Sequence, residues 1–154
     1  MDKTEKMKDG TEVMIRRLGT EDIDRLMDFY GSLSEEDRKY LRFDVMDRKA
    51  VARRLRRVES GEDIRIVAIH GGVIVASGAL ELSGEAWSRH QGEIRVIVSR
   101  PFQHRGLGTI VIRELYFIAV QNQISMIVAR MMRPQAGAQK IFRRIGFREA
   151  SMLP

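Results

Sequence analysis

Residues 93–109 read Glu93-Ile94-Arg95-Val96-Ile97-Val98-Ser99-Arg100-Pro101-Phe102-Gln103-His104-Arg105-Gly106-Leu107-Gly108-Thr109. The first seven make a strand-like run, and a long amphipathic segment follows the two glycines. A strand that feeds a glycine-bearing turn and then a helix gathers backbone N–H groups at the positive end of a helix dipole. Arg105 adds a full charge beside them. Such a turn suits a diphosphate, and that narrows the ligand class before anything else is read.

The spacing excludes the two commonest phosphate-binding patterns. A Walker loop ends in Gly-Lys-Ser or Gly-Lys-Thr, which is absent here. A dinucleotide fingerprint needs three spaced glycines, and the turn offers only Gly106 and Gly108. Gln103-x-x-Gly106-x-Gly108 instead matches the acyl-CoA pattern Gln/Arg-x-x-Gly-x-Gly/Ala, with Gly146-Phe147 closing the next strand–helix unit. On these residues the chain resembles the GNAT superfamily of N-acyltransferases. The stretch Leu33-Ser34-Glu35-Glu36 to Tyr40-Leu41-Arg42-Phe43 further resembles a motif of protein-lysine acetyltransferase members.

Outward from that stretch, the hydrophobic period assigns the remaining elements. Residues 1–10 read as a flexible N-terminal tail, and Thr11–Leu18 as the first strand. Thr20 is an expected N-cap, followed by Glu21, Asp22 and Asp24 in a first helical turn. Ser34 caps a short second helix, and a third spans Asp47 to Glu59. Ile64–Ile69 and Val73–Leu80 flank His70-Gly71-Gly72, a strong hairpin signal. Residues 83–92 read as a polar loop. Then come a helix from Gly106 to about Gln121, a strand Ile124–Met131, a helix Gln135–Arg144 and a last strand from Phe147. The expected fold is an α/β (α+β) single domain, a GNAT-like mixed central sheet flanked by helices. The resemblance places acyl-CoA in a wedge between splayed fourth and fifth strands, Glu93–Ser99 and Ile124–Met131.

Composition removes several function classes. The absence of cysteine rules out disulfides, thiolate nucleophiles and zinc–sulfur sites. His70, His90 and His104 are too scattered to suggest a metal cluster, so no metal is expected. The N-terminus lacks the apolar core of a signal peptide, and Arg113-Glu114 interrupts the most apolar helix, so neither export nor a membrane span is expected. A cytoplasmic location is the default. The net charge of +6 raises the question of nucleic acid. Arg53, Arg54, Arg56 and Arg57 are the densest basic patch, but Val51, Leu55 and Val58 alternate with them at helical spacing, and no aromatic residues are interleaved for base stacking. The patch reads as a solvated helix face, not a nucleic-acid surface.

Acyl transfer to an amine needs a base, because a lysine-type ammonium has a pKa of about 10.4. It also needs fixed donors for the developing oxyanion. Glu93 is the candidate base, at a position that resembles the catalytic glutamate of lysine-acetyltransferase relatives; the competing reading is an edge glutamate in solvent or an ion pair with Arg95. Glu81 and His90 are weaker candidates, Glu81 reading first as a solvent-facing strand residue. The resemblance assigns the oxyanion donor to backbone N–H near Ile97 or Val98, with Val98 also meeting pantetheine. The phosphates would fall to Arg105, Gly106, Gly108 and Thr109, with Gln103 and His104 on the rim and Leu107 packed beneath. The implied co-substrate is acetyl-CoA, attacked directly in a ternary complex. The implied acceptor is an amine, either a small molecule or a protein lysine. A non-catalytic acyl-CoA sensor is the alternative.

Three positions depart from the family pattern. Phe142 stands where many relatives have a tyrosine that protonates the CoA sulfur, and Gln135 stands for a frequent asparagine. Tyr30, Tyr40 and Tyr116, the only tyrosines, fall on expected helices where packing is their first use. Only seven residues follow Phe147, too few for the usual last hairpin, so either more chain or a second copy would complete the sheet. An unpaired edge of that kind favours a homodimer.

Overall fold

The computed structural model describes residues 2–41, 43–82, 91–124 and 126–129. The elements follow in the order β1 (Asp2–Lys6), β2 (Glu12–Arg17), α1 (Ile23–Ser32), α2 (Glu35–Lys39), α3 (Arg48–Glu59), β3 (Asp63–His70), β4 (Val73–Leu82), β5 (Gln91–Val98), α4 (Leu107–Gln121) and β6 (Met126–Ala129). The six strands lie side by side in chain order. Neighbours run antiparallel as far as β5, and β6 then runs parallel to it. A parallel neighbour cannot be reached by a tight turn, and α4 provides the crossover.

The β3–β4 hairpin turns on Gly71 and Gly72, whose φ values of +57° and +79° are those of a two-residue turn that few other residue pairs enter. Both faces of the sheet are covered. Ile64, Ile66, Leu80 and Ile94 pack with Leu107, Val111 and Leu115 of α4. On the opposite face Val67 and Ile74 pack with Leu26, Phe29 and Tyr30 of α1 and with Val51 and Leu55 of α3. Strand alternation places Asp63 and Arg65 on the same face as Val67, and both are buried, at 1% and 7% exposure. One end of the α1–α3 face is therefore charged where the rest is apolar.

Two sequence expectations need correction. Residues 2–6, read as part of a tail, pair with β2 from Asp2↔Arg16 to Lys6↔Glu12. The strand escapes a hydrophobic pattern search because Asp2-Lys3-Thr4-Glu5-Lys6 has nothing apolar to alternate, as suits a charged edge. Met7 anchors it in the core at 3% exposure, and Lys3 donates to the largely buried Glu114 of α4 at 2.9 Å. Thr20 does not cap α1. The segment Thr20–Asp22 is a 3₁₀ turn preceding the helix. The expected helix 135–144, the strand from Phe147 and residues 83–90 of the expected 83–92 loop, together with His90, Gln135, Phe142 and Gly146-Phe147, lie outside the described residues, whereas Gln91 and Gly92 of that loop open β5.

Asp22 holds this entry to α1. Its carboxylate is fully buried and accepts from Arg16 Nη1 and Nη2, both at 2.7 Å, and from the Gly19 N–H at 2.9 Å. The Arg16 guanidinium, reinforced by that amide, holds the Asp22 carboxyl below the usual range. A depressed pKa contributes stability above the ordinary carboxylate value of about 3.9, and that contribution is lost as pH falls through the folded value. Asp22→Asn should therefore cost about 3 kcal/mol near pH 7 in denaturant unfolding. The gap between variant and wild type should close once the pH drops below the usual carboxylate range.

Candidate functional site

Two features meet along β5. The first is the turn beyond it. Gly106 is the N-cap of α4 with φ +87°, and no side chain caps the helix. His104 is also left-handed, at φ +62°. Left-handed residues alternating with others turn successive N–H groups to one side, and the first-turn amides of Leu107, Gly108 and Thr109 have no carbonyl a turn earlier in the helix to bond. The structure thus offers several convergent donors at the positive end of a fifteen-residue helix. Leu107 is buried beneath them. Gln103 donates through Nε2 to the Val98 carbonyl at 2.9 Å, fixing the turn to the end of β5. Its side chain therefore faces the strand instead of the expected rim.

Arg105 is already engaged. It donates to Asp9 at 2.8 Å and Thr11 at 2.9 Å, and its guanidinium lies 4.8 Å from the centroid of the Phe102 ring. Asp9 in turn accepts from the Thr11 N–H at 3.0 Å. Thr11, followed by Arg105, brings the Asp9 carboxyl down to about 2, so it is ionised at any working pH. The Lys8 stem passes Gly106, where an added Cβ would meet its Cγ at 3.3 Å. The β1–β2 connection therefore sits against the turn. Sequence reasoning missed Lys8, Asp9 and Thr11 because nothing local links residues 8–11 to residues 104–106.

The amides of β5 divide by strand alternation. Ser99 N–H bonds the Val75 carbonyl of the β4 segment at 2.9 Å. Ile97, two residues earlier, accordingly points its N–H to β4, whereas the Val96 and Val98 amides point to the side on which β6 pairs further back. Between the two expected donors, Val98 is thus the one that faces outward. The β5–β6 pairing runs from Gln91↔Met126 to Ile94↔Ala129. The continuation where those strands were expected to part lies beyond the described residues.

The second feature is a charged pocket on the α1–α3 face, lined by Tyr30, Tyr40, Phe43, Arg54, Arg65, Ser77, Glu81, Arg95 and Ile97 among others. It is built from two cross-strand rows. Asp63, Glu81 and Glu93 lie directly opposite one another on β3, β4 and β5, and Arg65, Ala79 and Arg95 form the adjacent row. Like charges directly opposite in a sheet repel, so the acidic row needs cations beside it. Asp63 receives Arg57 at 3.0 Å, and Glu93 receives Arg95 Nη2 at 3.0 Å. Glu81 lies within 4.0 Å of Arg54, Arg65 and Arg95 alike. Glu93 borders the pocket through Arg95 and Glu81, which line it.

The ion-pair reading of Glu93 is therefore realised, and it does not remove the carboxylate from the pocket's edge. Two other expectations change. Glu81 is not solvent-facing, because three guanidinium groups surround it. Arg54 does not share the solvated face of Arg53 and Arg56; it turns inward, 4.6 Å from the centroid of the Phe43 ring. Tyr30 and Tyr40 pack, as expected, and also line the pocket, where burial pushes both phenols up and keeps them protonated at neutral pH. Arg65 Nε and Arg95 Nε are buried without a hydrogen-bond acceptor. Each such orphan costs about 1–3 kcal/mol. Among the described residues no cluster of histidine and carboxylate suits a metal ion, and no helix is long and apolar enough to cross a membrane.

Solved structures share this architecture. The GNAT domain of S. lividans PAT superposes with a TM-score of 0.83 at 20% identity, covering 99% of this chain and 91% of that one. The ribosomal-protein-alanine N-acetyltransferase from Brucella melitensis gives 0.76 at 20% identity over 89% and 85%. PaiA N-acetyltransferase from Thermoplasma acidophilum, solved in complex with coenzyme A, gives 0.69 at 16% identity over 88% and 89%. At these identities the likeness speaks for the fold. Residues 24–147 match the acetyltransferase (GNAT) family, so the strand, the turn and both faces of the sheet fall inside one recognised unit, and the chain belongs to that family of acetyl-CoA-dependent acetyltransferases.

Proposed function

We propose that this acetyltransferase moves the acetyl group of acetyl-CoA directly to a primary amine, with Glu93 as base and the turn at residues 103–109 as the diphosphate grip. The reading is carried by one juxtaposition. The uncapped amides at the start of α4 follow the stretch Glu93–Val98, and Arg95, Val96 and Ile97 of that stretch line the carboxylate-bearing pocket. Six residues of strand span about 20 Å, enough to hold the extended arm between diphosphate and thioester.

In this reading the α4 amides, with Arg105 and Lys8 nearby, hold the phosphates. Gly106 must stay bare so that backbone can approach them. The outward N–H of Val98 holds the pantetheine arm, and that of Val96, nearer Glu93, faces the thioester carbonyl and stabilises the oxyanion as the amine adds. Glu93 accepts the amine proton as the C–N bond forms. The C–S bond then breaks and the thiolate leaves, with a thiol pKa of about 8.5 by analogy to cysteine, so solvent protonation suffices.

Two variants test the two halves separately. Gly106→Val places a branched side chain at φ +87° and against Lys8, and should weaken CoA binding at least ~10-fold by calorimetry in a protein that still folds. Retained affinity would remove the turn from the site. Glu93→Gln should lower kcat by roughly 10²-fold or more in a thiol-release assay while the CoA Kd stays unchanged. Binding of CoA with no thiol release from any amine would identify an acyl-CoA sensor instead of an enzyme.

A further inference from the structure

The charged pocket holds more guanidinium donors than its own carboxylates use. Glu81 lies 3.7 Å from Arg65, 3.9 Å from Arg95 and 4.0 Å from Arg54. Those distances neutralise charge but exceed hydrogen-bond length. Elsewhere in the fold Arg16–Asp22 closes at 2.7 Å and Arg57–Asp63 at 3.0 Å, and at the pocket's own edge Arg95–Glu93 closes at 3.0 Å. The loose geometry thus marks Glu81, with three guanidinium groups around it and none within hydrogen-bond reach. Arg65 is 7% exposed, and its Nε, like that of Arg95, has no acceptor. Among the described residues, Arg54, Arg65 and Arg95 stand against Glu81 and Glu93, three positive charges to two negative. Among these described residues one positive charge is left over.

The anion that would balance that charge is small and planar. A carboxylate matches the guanidinium fork and brings acceptors to donors that have none. Ser77, buried on the pocket floor one row beyond Ala79, adds a hydroxyl. Glu93 and Arg95 are two residues apart on one strand, ~7 Å along the sheet. An amine and a carboxylate carried on one carbon, each with a hydrogen bond outward, fill about that span. A peptide N-terminus and a protein lysine side chain lack the adjoining carboxylate. A polycationic amine would add charge of the wrong sign.

We propose that the acceptor is a free α-amino acid, its carboxylate held by Arg54, Arg65 and Arg95 and its amine directed to Glu93. The assignment rests on the reading of Glu93 and the turn given above. The reaction balances within it: the α-nitrogen forms a bond to the acetyl carbon, its proton passes to Glu93 and the C–S bond breaks. CoA thiolate and an N-acetyl amino acid result, and solvent re-equilibrates both protons. The rings of Tyr30, Tyr40 and Phe43 line the same pocket.

The test is thiol release from acetyl-CoA by the intact protein with matched acceptors. The probes are alanine with alaninamide and ethylamine, phenylalanine with phenethylamine, and a lysine peptide. The amino acids should exceed their carboxylate-free partners in kcat/KM by roughly 10²-fold or more, since a site built around a polar group rejects analogues lacking it. Arg65→Gln and, at the more exposed rim, Arg54→Gln should each raise KM for the amino acid at least ~10-fold with the CoA Kd unchanged. Unchanged CoA affinity also certifies folding of either variant. Equal or better turnover of alaninamide, ethylamine or the lysine peptide would overturn the proposal. If nothing turns over, calorimetry with alanine and phenylalanine in the presence of CoA separates the two claims. Amino-acid uptake lost in Arg65→Gln would uphold the carboxylate site and sink the catalytic reading, whereas no uptake would sink the carboxylate site itself.

Discussion

One strand has to serve four directions at once, and that constraint organises the molecule. Along β5 the side chains of Ile94, Val96 and Val98 enter the core beneath α4, and those of Glu93, Arg95 and Ile97 face α1 and α3. One edge of its backbone is spent on β4. The other pairs with β6 only from Gln91 to Ile94 among the described residues. Period-two alternation leaves no freedom in this division: a register slip of one residue would exchange charged and apolar faces along the whole strand. Gln103, donating to the Val98 carbonyl, and Leu107, buried under the turn, then set the start of α4 with respect to that strand.

Electrostatics separates what is structural from what is available. Arg16–Asp22 and Arg57–Asp63 are short, multiply bonded and placed where an element enters or leaves the fold. Around Glu81 the same residue types sit further apart, and buried N–H groups are left over. Such a loose, donor-rich cluster is what the proposed carboxylate would complete.

Much of the fold was legible because its signals are local. The Gly71-Gly72 hairpin and the Ser34 cap of α2 each depend on a few neighbouring residues, and each stands where the sequence put it. The glycine turn after a strand was legible for the same reason. Asp2–Lys6 was not, because a largely exposed edge strand of polar residues carries no apolar period. Neither was the start of α1, where Asp22 leaves its expected place in a helical first turn to bind Arg16 from β2. Arg54 was misread because helical spacing gives only its angle about α3. Its true neighbours, Phe43 and Glu81, come from elsewhere in the chain.

The sequence by itself determined the element types, the mixed sheet and the place where backbone amides converge, since periodicity, caps and glycine turns act over a few residues. Only the tertiary structure decided which charges meet. Asp63, Glu81 and Glu93 are far apart in the chain and become neighbours through strand register, and Arg54, Arg65 and Arg95 reach one carboxylate from a helix and two strands. Coulomb interactions depend on distance in space and on exclusion of water, and neither quantity is written in the order of residues.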